Sequence, residues 1–342
     1  MNILQLSVYY GNNVIMEEIL NKKTLTIDTV IEGDTTNALH VAASRPASKA
    51  NTFEIFQTLL TFLEKLEEEK RRELLNELNN TGEHLLILSL KSNRIKLFKT
   101  LLSMPEVNLN LENSNGETPL IFSIRNKITP AIKMLLANKK CSVKHFNKGK
   151  SFPQISKICT LTFLKKKQTE KPVCGLVQSP LHWAVLMQNT KVIYTMLKRS
   201  APINKECEGG ATPLHWAVET GKIPTVKLLL AAGAKIKSTR WKGSHVPEYG
   251  DSPLHAACAL GHYHIAKLLI EANADYNQPN HYGKTCLYLA AENSHFSIVQ
   301  MLLELPNIDL NRKALNGLNA LMVCSTQQCY NLIIRQIGKN AI

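Results

Sequence analysis

Aromatic side chains are scarce in this chain, at 6% of 342 residues. No apolar run reaches the 18 or more residues of a membrane-spanning helix, so no transmembrane segment is expected. Glycine and proline, at 16 and 14, are too few for a low-complexity chain. The eight cysteines, at 141, 159, 174, 207, 258, 286, 324 and 329, form no C-x-x-C pair, and most fall in apolar helical stretches. That fits free thiols in a reducing compartment better than a disulfide framework or a zinc site. Cys141, His145, Cys159 and Cys174 cluster in sequence, but their spacings match no common zinc pattern, so no metal is expected. The opening Met1-Asn2-Ile3-Leu4-Gln5-Leu6-Ser7 has no basic n-region and no small-residue cleavage site, and no signal peptide is expected. Nucleophile elbow, phosphate-binding loop, dinucleotide fingerprint and zincin motif are all missing. No enzyme activity and no cofactor are therefore expected.

What the chain does have is a helix start that recurs. In Ala211-Thr212-Pro213-Leu214-His215-Trp216-Ala217-Val218, Thr212 is a good N-cap and Pro213 sits where a missing N–H costs nothing. His215 lies three residues past the cap, placed to bond back to it as in a capping box. Leu214, Ala217 and Val218 give an apolar stripe. Equivalent cap positions follow at Asn2, Asn37, His84, Thr118, Ser179, Thr212, Ser252, Thr285 and Asn319, in steps of 35, 47, 34, 61, 33, 40, 33 and 34. A period near 33 with three expanded steps signals stacked repeats.

Ser179-Pro180-Leu181-His182, Thr212-Pro213-Leu214-His215 and Ser252-Pro253-Leu254-His255 are the clearest copies. Thr118-Pro119-Leu120 is close behind, and Asn37, Thr285 and Asn319 begin degenerate ones. Glycine recurs two residues before the cap at 82, 116, 210, 250, 283 and 317, and again after the first helix at 221 and 261. Apolar second helices follow, ending near Gly233, Asn273 and Asn138, residues able to take the left-handed conformation of a helix C′ position. This pattern resembles the ankyrin repeat, over nearly the whole chain. The resemblance implies an all-α solenoid of about nine helix-turn-helix units with short hairpin fingers, one repeat domain over 1–342. Residues 1–36 would be an N-terminal capping repeat and 319–342 a C-terminal one. On this reading His40, His182, His215 and His255 are capping residues rather than ligands, and Trp183 and Trp216 pack between helices.

The repeat spacing slips in three places. The first slip holds Arg45-Pro46-Ala47-Ser48-Lys49 and a long second helix ending in Glu67–Glu73, read as a solvated extension. The second is a basic insertion, 144–171. Between Lys139 and Lys171 the chain has ten lysines and one acid, Glu170, so this stretch carries most of the net charge of +14. The third is an extended finger at 237–249, carrying Arg240-Trp241-Lys242 and Tyr249. Trp and Arg are enriched at binding hot spots.

The resemblance implies a non-enzymatic module that binds another protein through its concave face and fingers. The implied contacts are the first-helix positions Arg125, Asn126, Met187, Glu219, Leu260, Glu292 and Asn293. The implied finger contacts are Arg240, Trp241, Lys242, Tyr249, His281 and Tyr282. The basic patch of Lys157, Lys165, Lys166, Lys167 and Lys171 would favour a partner with an acidic surface. The alternative is a nucleic-acid or nuclear role for 139–171, with Lys165–Lys167 as an import signal or only a solvated loop. The expected state is a monomer in the cytoplasm or nucleus. A composition rich in Lys, Asn and Ile suits an AT-rich genome, which adds the expectation of a bacterial effector acting on host proteins in the host cytosol or nucleus.

Overall fold

The structure is a computed structural model, and it describes residues 1–22, 26, 35–45, 51–145, 179–207, 210–237 and 251–340. The chain divides into two compact units, Met1–Gly149 and Lys150–Ile342. Among the described residues there are eighteen helices and no strand. The all-α repeat architecture is present in each unit.

The first unit contains α1 (Ile3–Tyr10), α2 (Asn13–Asn21), α3 (Ala38–Ser44), α4 (Thr52–Leu63), α5 (Glu68–Asn76), α6 (Leu85–Lys91), α7 (Ile95–Ser103), α8 (Pro119–Arg125) and α9 (Thr129–Ala137). First helices pack in the order α1, α3, α6, α8, and second helices in the order α2, α4, α7, α9. The second unit repeats the scheme. Its helices are α10 (Pro180–Leu186), α11 (Thr190–Lys198), α12 (Pro213–Glu219), α13 (Ile223–Ala231), α14 (Pro253–Leu260), α15 (Tyr263–Glu271), α16 (Cys286–Glu292), α17 (Phe296–Leu303) and α18 (Gln327–Asn340). Here α10, α12, α14 and α16 pack in series, as do α11, α13, α15 and α17.

First helices are only seven or eight residues long. That is too short to persist alone in water, so packing holds them. Leu39, Leu120, Leu181, Leu214, Leu254 and Leu287, one per repeat, are fully buried. Trp183 and Trp216 are buried as well, and the Trp216 ring stands edge-on to His182 of the preceding repeat at 5.6 Å.

Three details differ from the sequence reading. The long helix expected to reach Glu73 is two helices, because the chain bends at 64–67. The bend folds α5 back, buries Leu74 and Leu75, and is held by Arg71, which donates to the carbonyls of Glu64 and Leu66. Arg71 also pairs with Glu106 at 3.3 Å. Asn273 does adopt a positive φ of 65°, but Asn138 ends α9 in an extended conformation at φ −84°. Its side chain instead accepts from the N–H of Lys140 at 2.9 Å. After Asn319 the chain makes a turn at 320–323 in place of a first helix, and α18 then lies on α17.

Candidate interaction surface

The surface is built from the cap outward. At each T-P-L-H start, the imidazole closes the capping box and then does something further. In Ser179 the backbone N–H donates to Nδ1 of His182 at 3.3 Å, and Nε2 of the same ring donates to the carbonyl of Ala211, in the next repeat, at 3.2 Å. Thr212, His215 and the Asp251 carbonyl form the same relay, as do Ser252, His255 and the Gln278 carbonyl. Asn37, His40 and the Glu77 carbonyl form it in the first unit. Accepting at Nδ1 while donating at Nε2 requires the neutral ring. Burial enforces that state, lowering His182 to about 4 against the opposing bond to Ala211. Where Tyr288 stands in place of histidine, its hydroxyl accepts from Asn316 Nδ2 at 2.9 Å.

A second set of bonds runs backward. His295, at the start of α17, donates from Nε2 to the carbonyl of Ala259 in the preceding first helix at 3.0 Å. His262 takes the corresponding bond to the backbone of Glu219. In the first unit Arg94 Nε donates to the carbonyl of Arg45 at 2.7 Å. These bonds satisfy carbonyls that a helix end leaves open.

The fingers are tight turns keyed by asparagine. The backbone N–H of Asn113 donates to the carbonyl of Glu117, and Asn113 Oδ1 accepts from the N–H groups of Asn115 and Glu117 at 3.0 and 2.9 Å. Asn79 and Asn280 repeat the arrangement. Gly116, at φ 72°, completes the Asn113 turn in the left-handed region that suits glycine. Neighbouring fingers then hydrogen-bond to each other: Ser114 N–H to Gly82 O at 2.7 Å, and Leu315 N–H to Tyr282 O at 2.8 Å.

In three repeats the residue before the cap and the residue closing the first helix form an ion pair across the helix. Glu117 is fully buried and meets Arg125 twice, Nε to Oε1 at 2.8 Å and Nη2 to Oε2 at 3.1 Å. Burial raises the Glu117 carboxyl above its ordinary value, and Arg125 and Asn113 oppose the shift. Glu83 pairs with Lys91 in the same way. In the second unit the polarity is reversed, with Lys284 to Glu292 at 3.0 Å.

The expected contact residues fall on this framework as follows. Arg125, Met187, Glu219, Leu260 and Glu292 all lie at the ends of first helices and are half-buried, while Asn126 is exposed. Met187, Glu219, Leu260 and Glu292 belong to the second unit, whose first helices pack in series. Arg125 belongs to the first unit. His281 is exposed at a finger tip and Tyr282 half-buried beside it. Arg240, Trp241, Lys242 and Tyr249 lie outside the described residues, as do Lys157, Lys165, Lys166, Lys167 and Lys171. His145 contacts Glu112 at 2.6 Å and Cys141 is buried. No group of three metal-ligating side chains occurs among the described residues.

Three features went unread in the sequence: the finger asparagines, the ion pairs and the backward bonds. Asparagine three residues before the turn glycine at 79, 113 and 280, and opposite charges eight apart at 83/91, 117/125 and 284/292, were the available signals.

Among known proteins, the family described as ankyrin repeats matches in three copies, over residues 47–147, 156–240 and 242–314. The E3 ubiquitin-protein ligase XBAT33 of Arabidopsis thaliana is 47% identical over 53 residues, 16% of this chain and 10% of that protein. Ankyrin repeat and SOCS box protein 11 of Danio rerio is 33% identical over 125 residues, 36% of this chain and 40% of that protein. Human transient receptor potential cation channel subfamily A member 1 is 26% identical over 292 residues, 71% of this chain and 26% of that protein. The chain spans less than half the length of each of these relatives.

Proposed function

Because the chain belongs to the ankyrin-repeat family, whose repeats are protein–protein interaction modules, we propose that it is a non-enzymatic adaptor. It binds one partner protein through first-helix ends and fingers. The observation that carries this is the contrast between constant and changing positions. Cap, proline, leucine and histidine recur because each builds its own unit. The residues closing the first helices do not recur in kind: seven residues past the cap stand Arg125, Leu186, Glu219, Ala259 and Glu292, and eight past it Asn126, Met187, Thr220, Leu260 and Asn293. A rigid framework that presents a different side chain at each step is the design of a recognition surface. The ligase name attaches to a relative of which the match covers 10%, and the adaptor reading rests on the repeats alone.

The extended finger at 237–249 adds Arg240, Trp241, Lys242 and Tyr249 to this surface, with His281 and Tyr282 in the finger that follows. The lysines of the 144–171 insertion select a partner with an acidic surface. The setting that goes with this reading is the cytoplasm, or the nucleus if Lys165–Lys167 serves import. An effector acting on host proteins would place it in a host cell. The lysine density of 139–171 also supports a second reading, contact with nucleic-acid phosphates.

The test is affinity capture from cell lysate, comparing the intact chain with a deletion of 144–171 at two salt concentrations. The adaptor reading expects a partner retained at high salt and weakened by Arg240→Ala with Trp241→Ala, with the melting curve unchanged. Capture lost at high salt and abolished by the deletion supports phosphate contact instead. Binding that survives the double substitution removes the finger from the surface.

A further inference from the structure

In the second unit, an imidazole fills each of two turns between first and second helices. A Cβ on Gly261 would meet the His295 ring at 2.6 Å, and one on Gly221 would meet the His262 ring at 3.0 Å. Each ring hydrogen-bonds a carbonyl near the end of the preceding first helix. In the first unit the same place beside Gly11 holds a guanidinium. A Cβ there would meet Arg45 Nη2 at 2.6 Å and Cζ at 3.3 Å. The sequence explains the placement. Pro46 follows Arg45, and a proline keeps the residue before it out of the helical region. Arg45 accordingly ends α3 at φ −58° and ψ 138°, and its side chain lies back on the turn of the preceding repeat.

Arg45 is 2% exposed. Its Nε and Nη1 are buried and have no hydrogen-bond partner. No carboxylate among the described residues pairs with it. The titratable groups coupled to it are the Tyr9 phenol and the Arg94 guanidinium. Arg94, at the start of α7, donates from Nε to the Arg45 carbonyl at 2.7 Å and is itself half-exposed. Burial, and then the charge of Arg45, lower Arg94 to about 10; burial lowers Arg45 as well. Both guanidiniums remain charged at neutral pH. A buried charge without a counter-charge is strongly destabilising. Elsewhere in the unit such cations are matched: Arg125 by Glu117, Arg71 by Glu106, Lys91 by Glu83. Arg45 has no such match.

We propose that Arg45 and Arg94 form a phosphate-binding site at the helix–helix turns of the first unit. Two adjacent fixed cations match a dianion, whereas chloride or a single carboxylate leaves one charge uncompensated. Guanidinium donors suit phosphate oxygens in charge and in geometry. Arg94 forms the mouth, open to solvent, and Arg45 supplies the second charge from behind it. The phosphate is either a free ion or a monoester group on a larger ligand. The site lies wholly in the first unit and is separate from the partner contacts proposed for the first-helix ends of the second.

Isothermal titration calorimetry of the full chain with inorganic phosphate, at an ionic strength held constant with sodium chloride, tests the proposal. The expected result is saturable binding at one site. Arg94→Gln, at a half-exposed position, should weaken it about tenfold or more. Arg45→Met should abolish it. Lys133→Gln removes the same charge from an exposed position in the same unit and should leave it intact. In phosphate-free buffer Arg45→Met should also melt above the wild type, because it removes an uncompensated charge. O-phosphoserine separates the two sources: equal affinity identifies the free ion, and tighter binding identifies a group carried on a larger ligand. A wild-type chain that gives no phosphate heat above the chloride background overturns the proposal. So does binding retained by Arg94→Gln and Arg45→Met alike, which places it on lysines elsewhere. Arg45→Met melting below the wild type overturns it too, because a group within the chain then already neutralises Arg45.

Discussion

At Thr118 the junction with the preceding repeat runs through ions. Asn113 Nδ2 lies 3.5 Å from the carboxylates of both Glu83 and Glu117, and Lys91 and Arg125 neutralise them from the far ends of their helices. At Ser179, Thr212 and Ser252 the junction runs through neutral imidazoles that reach forward to a carbonyl of the next repeat. The third helical position explains the split. It is Ile87 and Ile121 in α6 and α8, which cannot bond, so the polar link moves to the residue before the cap. One repeat geometry is thus held by two chemistries with different responses to substitution and pH.

The largest effect should come from breaking the ionic junction. Arg125→Ala leaves Glu117 buried without its cation and should cost about 3 kcal/mol. Amide exchange over 113–125 should quicken most, while 179–231 stays protected. In the second unit, His182→Phe keeps the volume but strands the Ser179 N–H and the Ala211 carbonyl, costing about 2 kcal/mol. Its exchange signature should fall on α10 and α12 instead. If either substitution loosens both units equally, the two junctions are not independent.

Acidification separates the chemistries further. His182 titrates near 6.5 when unfolded and about 4 when folded. Its contribution is therefore complete above pH 6.5 and is lost as pH falls toward 4. At pH 5 the loss is about 2 kcal/mol. His255 is lowered in the same direction, chiefly by burial, and adds to it. Glu117 runs the other way: its folded carboxyl is raised, so its ionised form opposes folding at neutral pH and the opposition eases as pH falls through that raised value. The first unit carries an acid-sensitive group as well, His84, lowered to about 4 by burial. Between pH 7 and 5, exchange should therefore rise more in α10 and α12 than in α8. The reverse order would contradict the assignment of junction types.

The repeats, caps, buried leucines and tryptophans were legible in the sequence because each depends on neighbours within a few residues. The histidine was legible as a cap and not as a relay. Its second partner lies 29, 36 or 23 residues away at His182, His215 and His255: the seven-residue finger insertion lengthens the second distance, and Gln278 stands seven residues before the next cap where Ala211 and Asp251 stand directly before it. The bend between α4 and α5 was missed for a related reason. Acid and base at helical spacing in 67–73 fit a continuing helix, and only the burial of Leu74 and Leu75 shows why the chain turns before them. Of the expected contact surface, the first-helix ends and the His281–Tyr282 finger are placed, and the 237–249 finger beyond Lys237 lies outside the described residues.

Smaller effects sharpen the comparison. Gly261, at φ 79°, would place a Cβ 2.6 Å from the His295 ring. Gly261→Ala should cost about 1–2 kcal/mol through left-handed strain and the displaced backward bond. A melting curve shifted less than this would show that His295 can move aside freely. The reversed pair Lys284–Glu292 is part-exposed, so reversing either charge alone should cost under about 1 kcal/mol. The double exchange, Lys284→Glu with Glu292→Lys, should restore the lost stability and reproduce the polarity of the first unit.

The central claim is that the first-helix ends form the recognition surface. Photo-crosslinkers placed singly at Glu219 and Leu260, and at the exposed second-helix residues Lys227 and Lys267, test it in cell lysate. The account predicts one shared partner captured from Glu219 and Leu260 and none from Lys227 and Lys267. Equal capture from both pairs of positions, or capture from the second helices alone, would contradict it.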